Sequence, residues 1–364
     1  MKNAIPILLL TIVTISVMSC SDTHTQTDNS LRGPVDTTGF AHLDWQMDSV
    51  MKRINKLYGD ELKKAEQPEG TKWKVAISPH DDYTYAGWLY PAVLRYIKAK
   101  TVIIFGVAHK ARNFNLENHL IFDSFRTWRG PYKPVRVSDI REELIKRLPA
   151  ETCIVHDSMQ AMEHSVEALV PFLQYFNPDI EIVSILVPYT DLKTMDTLSS
   201  RLAEAIFSVM NERKLKWGDD LALLITSDAV HYGDEDWGGE NYAPYGTDST
   251  GYRNAIGHEQ EIIDSCLTGI LTKEKAEKFY HYTVSADNYK QYIWTWCGRY
   301  CLPMGLETAE KLGILLHSNP LTGLEVGYST SIGQKHVPVN DLRMGTTAVA
   351  TSHHWVGYPA IGYL

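Results

Sequence analysis

Thr101-Val102-Ile103-Ile104-Phe105 runs directly into Gly106-Val107-Ala108-His109. An apolar, largely β-branched run this short reads as a strand buried on both faces, and the loop after it delivers a histidine. The pattern recurs. Trp73-Lys74-Val75-Ala76-Ile77 leads to Ser78-Pro79-His80, and Leu221-Ala222-Leu223-Leu224-Ile225 leads to Ser227-Asp228-Ala229-Val230-His231. A fourth run, Glu181-Ile182-Val183-Ser184-Ile185-Leu186, has no histidine behind it. Helical spacing fills most of the intervals. Leu89, Val93, Leu94 and Ile97 fall on one face of residues 88–98, Asp139 with Glu142 forms a capping arrangement before Leu144, and Asp191 precedes a long pattern through Met210. This alternation predicts an α/β fold with a central, mainly parallel or mixed sheet flanked by helices on both faces. Residues 251–312 read as mostly helical, and 323–350 as returning strands.

No repeat and no Pro/Gly-rich linker interrupts residues 40–364, which are expected to form one domain. Hydrophobic residues make up 44% and charged residues 22%, a balance that excludes a disordered or collagen-like chain. The net charge of −9 is spread along the chain with no basic run interleaved with aromatics, so nucleic acid is not an expected partner. The many tyrosines and tryptophans are assigned to core and cleft lining.

The amino terminus has a different character. Lys2 precedes an apolar stretch from Ile5 to Val17 that ends in Val17-Met18-Ser19-Cys20, which looks like a bacterial lipoprotein signal although Met18 is untypical at its position. The stretch is too short to span a bilayer comfortably, and a small residue before cysteine is what the lipoprotein signal peptidase needs. Residues 1–20 are therefore expected to be the signal, with lipidation at Cys20. Residues 21–39, rich in Ser, Thr, Asp and Gln, are expected to be a flexible polar tether. The protein is thus placed in the cell envelope, lipid-anchored to a bacterial membrane outside the cytoplasm. Of the remaining cysteines, Cys153, Cys266, Cys297 and Cys301, the last two are the nearest couple in an oxidising compartment.

In open α/β sheets the ligand crevice lies beyond the carboxyl ends of the strands, so His80, His109 and His231 are expected to converge. The chain has fourteen histidines, and any one of them alone is most simply a core or surface residue. Their shared placement at strand ends makes them a site. Two neutral imidazoles with a third ligand suit divalent iron, zinc or copper, and a further histidine can act as acid or base near neutral pH. The third ligand stays open among Asp81, Asp82, Asp228, Glu163, Glu167 and Cys297. Asp81 and Asp82 read equally as helix caps, and Glu163 with Glu167 as an exposed helical face. His42, His353 and His354 are expected to be solvated or packed.

These segments resemble the Memo-like proteins, labelled AmmeMemoRadiSam system protein B in bacteria and similar in fold to class III extradiol dioxygenases. Pro79-His80-Asp81-Asp82-Tyr83-Thr84-Tyr85-Ala86-Gly87 resembles the family's Pro-His-Ala-Gly-Tyr-x-Tyr-x-Gly segment, and Gly106-Val107-Ala108-His109 its Gly-Pro-x-His loop. Glu163-His164-Ser165-Val166-Glu167, Ser227-Asp228-Ala229-Val230-His231 and Cys297-Gly298-Arg299 follow in the family's order. The resemblance implies a metal-facing set of His80, His109 and Cys297, with the cysteine standing where extradiol enzymes have glutamate. It also implies His231 as acid/base, Asp228 orienting it or lining the pocket, and Asp81, Asp82, Tyr83, His164, Glu167 and Arg299 around the pocket.

The implied cofactor is a divalent metal, iron(II) first, with copper or zinc as alternatives because a thiolate is softer than a carboxylate. The implied function is a non-haem iron-dependent, dioxygenase-like oxidation of a small substrate. A non-catalytic module for a metal, peptide or small molecule is the alternative, and a hydrolase using Cys297 as nucleophile ranks third. The sequence departs from the family at Asp81-Asp82, which replaces Ala-Gly, and at Gly106-Val107-Ala108, which replaces Gly-Pro-Ser. Either carboxylate would narrow the pocket, add a ligand or favour a cationic substrate. A Cys297–Cys301 disulfide would remove the thiolate, although an i,i+4 pair on a regular helix is poorly placed for one.

Overall fold

Side chains alternate between the two faces of a strand, so a strand apolar at every position must be covered on both sides. The computed structural model, which describes residues 1, 30–237 and 240–364, shows this division directly. Ile103, Phe105, Val183, Ile185, Leu223 and Ile225 join one hydrophobic core, whereas Val102, Ile104, Ile182, Leu186, Ala222 and Leu224 join another across the sheet. The first core is closed by helices Leu192–Arg213 and Cys301–Leu315. The second is closed by Asp44–Leu57, Leu89–Leu94 and Val170–Phe176. Each such buried Ile, Leu or Val contributes roughly 1.5–3 kcal/mol. One close approach needs a glycine: a Cβ on Gly305 would stand 2.5 Å from Ile225 Cγ1, so the helix lies directly on the sheet.

The strands are β1 (Leu31–Arg32), β2 (Val75–Ser78), β3 (Thr101–Val107), β4 (Leu120–Phe122), β5 (Thr127–Trp128), β6 (Val135–Val137), β7 (Cys153–Val155), β8 (Glu181–Val187), β9 (Leu221–Thr226), β10 (His231–Gly233), β11 (Gly269–Ile270), β12 (Thr322–Thr330) and β13 (His354–Tyr363). The main path runs β1-β5-β6-β8-β3-β9-β2-β13-β12-β11. Its centre, β8-β3-β9-β2, is parallel, and β13 and β12 add an antiparallel flank, so the sheet is mixed. Ser78 sits beside Thr226 and Phe105 beside Ile225, which brings the loops after β2, β3 and β9 to one end of the sheet.

The elements expected between the strands form with shifted limits. Asp191 caps its helix by accepting from the Thr194 amide at 2.9 Å. Asp139 precedes the helix Ile140–Arg147 but makes no cap bond, and its carboxylate accepts from Arg213 at 2.8 Å instead. Residues 251–312 are helical only in part. Ser249–Ile262, Lys273–Thr283 and Cys301–Leu315 are helices, while residues 284–300 cross the carboxyl end of the sheet as irregular chain. The strands expected over 323–350 are β12 and the later β13. Residues between them are drawn away by other bonds, from Val337 to the Thr84 carbonyl and from Thr347 to the Asp82 carboxylate.

Residues 2–29, including the signal segment and Cys20, lie outside the described residues. Residues 30–39, assigned above to the tether, are bound to the domain. Arg32 is 2% exposed, stacks 4.4 Å from the Trp128 ring and pairs with Glu167. Glu167 also accepts the amides of Val35 and Asp36. Polar composition misses this because one buried ion pair and the backbone bonds, not apolar burial, hold the segment. Among the described residues no helix is long and apolar enough to cross a membrane.

Candidate metal centre

His80 leaves β2 almost fully buried. Its Nδ1 lies 2.7 Å from Thr226 Oγ1, and that hydroxyl donates its only hydrogen to the Ser165 carbonyl at 3.2 Å. Thr226 Oγ1 must therefore accept from His80, which puts the imidazole proton on Nδ1 and makes Nε2 the lone-pair nitrogen. His109 reaches the same state by another route. Its Nδ1 lies 2.8 Å from Glu163 Oε1, an acceptor when ionised, and its backbone amide donates to Glu163 Oε2 at 2.8 Å. A carboxylate behind a histidine in this way is a common support for a metal ligand.

Two groups of potential donors share His80. His80, His109 and His164 form one, and His80, Asp228 and Cys297 the other, with the ligand atoms in each within 4.8 Å of one another. The His109 and His164 rings stack at 4.7 Å, and His80 meets them edge-on at 5.4 and 5.7 Å. Cys297 Sγ is 3.3 Å from His80 Nε2, and Asp228 Oδ2 is 3.4 Å from the same nitrogen. The residue types and the two Nε2 lone pairs fit a divalent transition metal.

Burial dominates the protonation states. It pushes His80 well below the ordinary histidine range, with the neighbouring His109 and His164 acting the same way. His164 is lowered to about 4 and His231 to about 3, again chiefly by burial. Burial alone would raise Glu163, but His109, His164 and its hydrogen bonds together hold it below the usual carboxylate range. Burial raises Cys297 well above an ordinary thiol, with Asp228 and Cys301 adding to the effect. The resting site thus holds His80, His164 and His231 as neutral imidazoles beside a protonated thiol.

A cavity of about 620 Å³ opens over these residues. His80, His109, His231, Asp228, Asp81, Asp82 and His164 line it, as expected. Tyr83, Glu167 and Arg299 do not. Tyr83 donates to the Ala168 carbonyl and packs against Phe172, Glu167 holds Arg32, and Arg299 stacks on Tyr292 at 3.2 Å. Cys297 is buried behind His80 rather than on the wall. Asp228 does not orient His231. It accepts the His80 amide at 2.9 Å, and its own amide donates to Cys297 Sγ at 3.1 Å. His231 reaches the cavity, but its Nε2 is buried with no hydrogen-bond partner among the described residues.

Glu163 and Glu167 are both buried, so neither is an exposed helical face. The four described cysteines, Cys297 and Cys301 among them, are free thiols. A Cβ on Gly298 would fall 2.1 Å from Ser227 Oγ, which explains a glycine beside the cysteine.

Two residues were not assigned to the site from sequence: His354, expected to be solvated or packed, and Glu259. His354 lines the cavity and stacks on Trp237 at 4.0 Å. Its place at the start of a long apolar carboxyl-terminal run is the one signal that pointed to it. Glu259, fully buried, accepts from Trp294 and Trp296 and, through Oε2, from the Val230 amide at 3.1 Å. It ties the loop before His231 to the loop before Cys297, and its position within a helix gave no hint of this.

A family model described as Memo-like protein matches residues 43–334. A MEMO1 family protein of Pyrobaculum arsenaticum is 32% identical over 169 residues, 45% of this chain and 55% of the relative. One from Caldivirga maquilingensis is 32% identical over 162 residues, 43% and 52% of the two chains. Another from Methanosarcina barkeri is 28% identical over 159 residues, 43% and 54%. The chain spans about half the length of the curated relatives it matches.

Proposed function

The chain belongs to the Memo-like family, with its extradiol-dioxygenase-like fold, and on that premise we propose that the cavity holds one catalytic metal ion, iron(II) in the first instance, and oxidises a small organic substrate. The observation that carries this reading is the pair of imidazoles, His80 and His109, whose Nδ1 atoms face Thr226 and Glu163, which leaves each Nε2 as the lone-pair nitrogen, that of His80 facing the Cys297 thiol. Bound there, the metal supplies Lewis acidity and one-electron chemistry. Thr226 and Glu163 fix the tautomers of their histidines, and Asp228 fixes the backbone of His80. Cys297, protonated at rest, surrenders its proton if it ligates. Asp81, Asp82 and the aromatic wall position the substrate.

His231 is the candidate proton acceptor. The sequence suggested an imidazole titrating near neutral pH, but burial makes it a weak base that takes a proton only from a polarised group. A binding module for a small molecule, peptide or metal is the second reading, favoured by the absence, among the described residues, of a hydrogen-bond partner for Nε2 of that ring. The hydrolase reading loses support, because Cys297 is off the cavity wall and held as thiol. The export reading places this site outside the cytoplasm on a Cys20 lipid, supported by the amino-terminal sequence pattern. Oxygen uptake by anaerobically iron-loaded protein, measured across a panel of small aromatic and amine compounds, tests the catalytic reading. Uptake stimulated by one of them and lost on chelation is expected. Tight binding without uptake would leave the module.

A further inference from the structure

Residues 31–40 do more than attach the amino-terminal chain. Val35, Asp36, Thr37, Thr38 and Phe40 form one wall of the cavity, and Phe40 stacks toward His164 at 6.5 Å. The strap is fixed at both ends. Glu167 binds Arg32 and the amides of Val35 and Asp36, and at the other end the Thr38 and Gly39 carbonyls accept from Gly345 and Tyr83. The match to the Memo-like family begins at residue 43, so this wall is contributed by sequence outside it.

Beside Asp228, three further carboxyl groups line the cavity, and their hydrogen-bond partners among the described residues are neutral. Asp36 accepts the amides of Thr38 and Gly39, Asp82 the amide and hydroxyl of Thr347, and Asp81 the hydroxyl of Tyr358. Lys110 also lines the cavity, but it follows His109 and its charge bears on His164. Aromatic faces of Phe40, Tyr85, Trp237 and Tyr358 surround the remaining space. Burial raises the Asp81 and Asp82 carboxyls, Asp82 to about 8, so these two serve here as hydrogen-bond acceptors, and the charge of Asp36 in a partly enclosed, aromatic-walled cavity favours an organic cation over an anion of the same shape. A ligand is also called for by two ring nitrogens of the lining, His231 Nε2 and Trp237 Nε1, which are buried with no hydrogen-bond partner among the described residues.

We infer that the strap of residues 31–40 is the specificity-determining wall of this cavity and that, through Asp36 with Asp81 and Asp82, it selects a ligand carrying an ammonium group on an aromatic-sized body. The inference rests on the cavity being the functional site proposed above, but not on the metal. Asp36→Asn is the informative variant, because an amide oxygen can still accept from the Thr38 and Gly39 amides while the charge is removed.

The test is calorimetric titration of 2-phenylethylamine and of phenylacetate, which share a ring and chain and differ in charge. It is run on the zinc-loaded and the metal-free protein, parent and Asp36→Asn. The amine is expected to bind at least tenfold more tightly than the acid, and the variant to narrow that ratio at least threefold with zinc content unchanged. Equal or tighter binding of the acid, binding of neither probe, or an unaltered ratio in the variant overturns the inference. Amine selectivity in a protein that takes up no zinc would instead defeat the metal reading and leave the strap standing.

Discussion

At the level of single residues, the tautomer of His80 is set by a hydroxyl 146 positions away in sequence. The strand-end pattern made His80 and His109 legible, since a loop after a buried parallel strand has one place to go. It could not reveal Thr226 or assign Glu163 its role, because their parts depend on which atoms meet across the sheet end. Nor could it show that burial shifts His231 away from neutrality. Thr226→Val keeps the branched shape but leaves the His80 Nδ1 proton without an acceptor, a cost of about 1–3 kcal/mol. Metal affinity measured by chelator competition is expected to fall about 10- to 100-fold, with the circular dichroism spectrum retained. Unchanged affinity would show that the tautomer is set elsewhere.

Among the elements, the sheet was the legible part: β2, β3, β8 and β9 follow from unbroken apolar runs. The irregular chain of residues 284–300 was not, since its shape is imposed by Glu259 binding Trp294 and Trp296. The flank β12–β13 was mislocated for a related reason, the chain between its strands being held over the cavity. Glu259 gives the expected pH dependence. Burial pushes its pKa up to about 7 from the ordinary 4.5. Below pH 4.5 both folded and unfolded forms are protonated. Between 4.5 and 7 the unfolded form ionises first, so stability is lost as pH rises through this window, by about 3 kcal/mol in total. Glu259→Gln, which mimics the neutral acid, lacks that loss. Urea unfolding is therefore expected to show the variant gaining on the parent by about this amount from pH 4.5 to 7, and a constant difference would contradict the burial argument.

For the molecule as a whole, polar composition gave no sign that residues 30–39 are bound to the rest of the fold. The tether assignment extended through residue 39, yet the fold already holds Arg32, and the strap beyond it closes the cavity. The proposed anchor position is therefore close in sequence to the site, and a lipid on Cys20 would hold the cavity near a membrane surface. Cys20→Ser is expected to move the protein from the detergent to the aqueous phase and to abolish labelling by a fatty-acid analogue. Retention of both would place the attachment elsewhere.

The claim on which the rest depends is that His80 stands at the centre of a metal site. The direct measurement is the metal content of parent and His80→Ala protein after anaerobic reconstitution with iron(II) and desalting, with folding checked by thermal unfolding. About one iron per chain in the parent and almost none in a folded variant is the expected result. Equal iron in the two, or none in the parent, would contradict it.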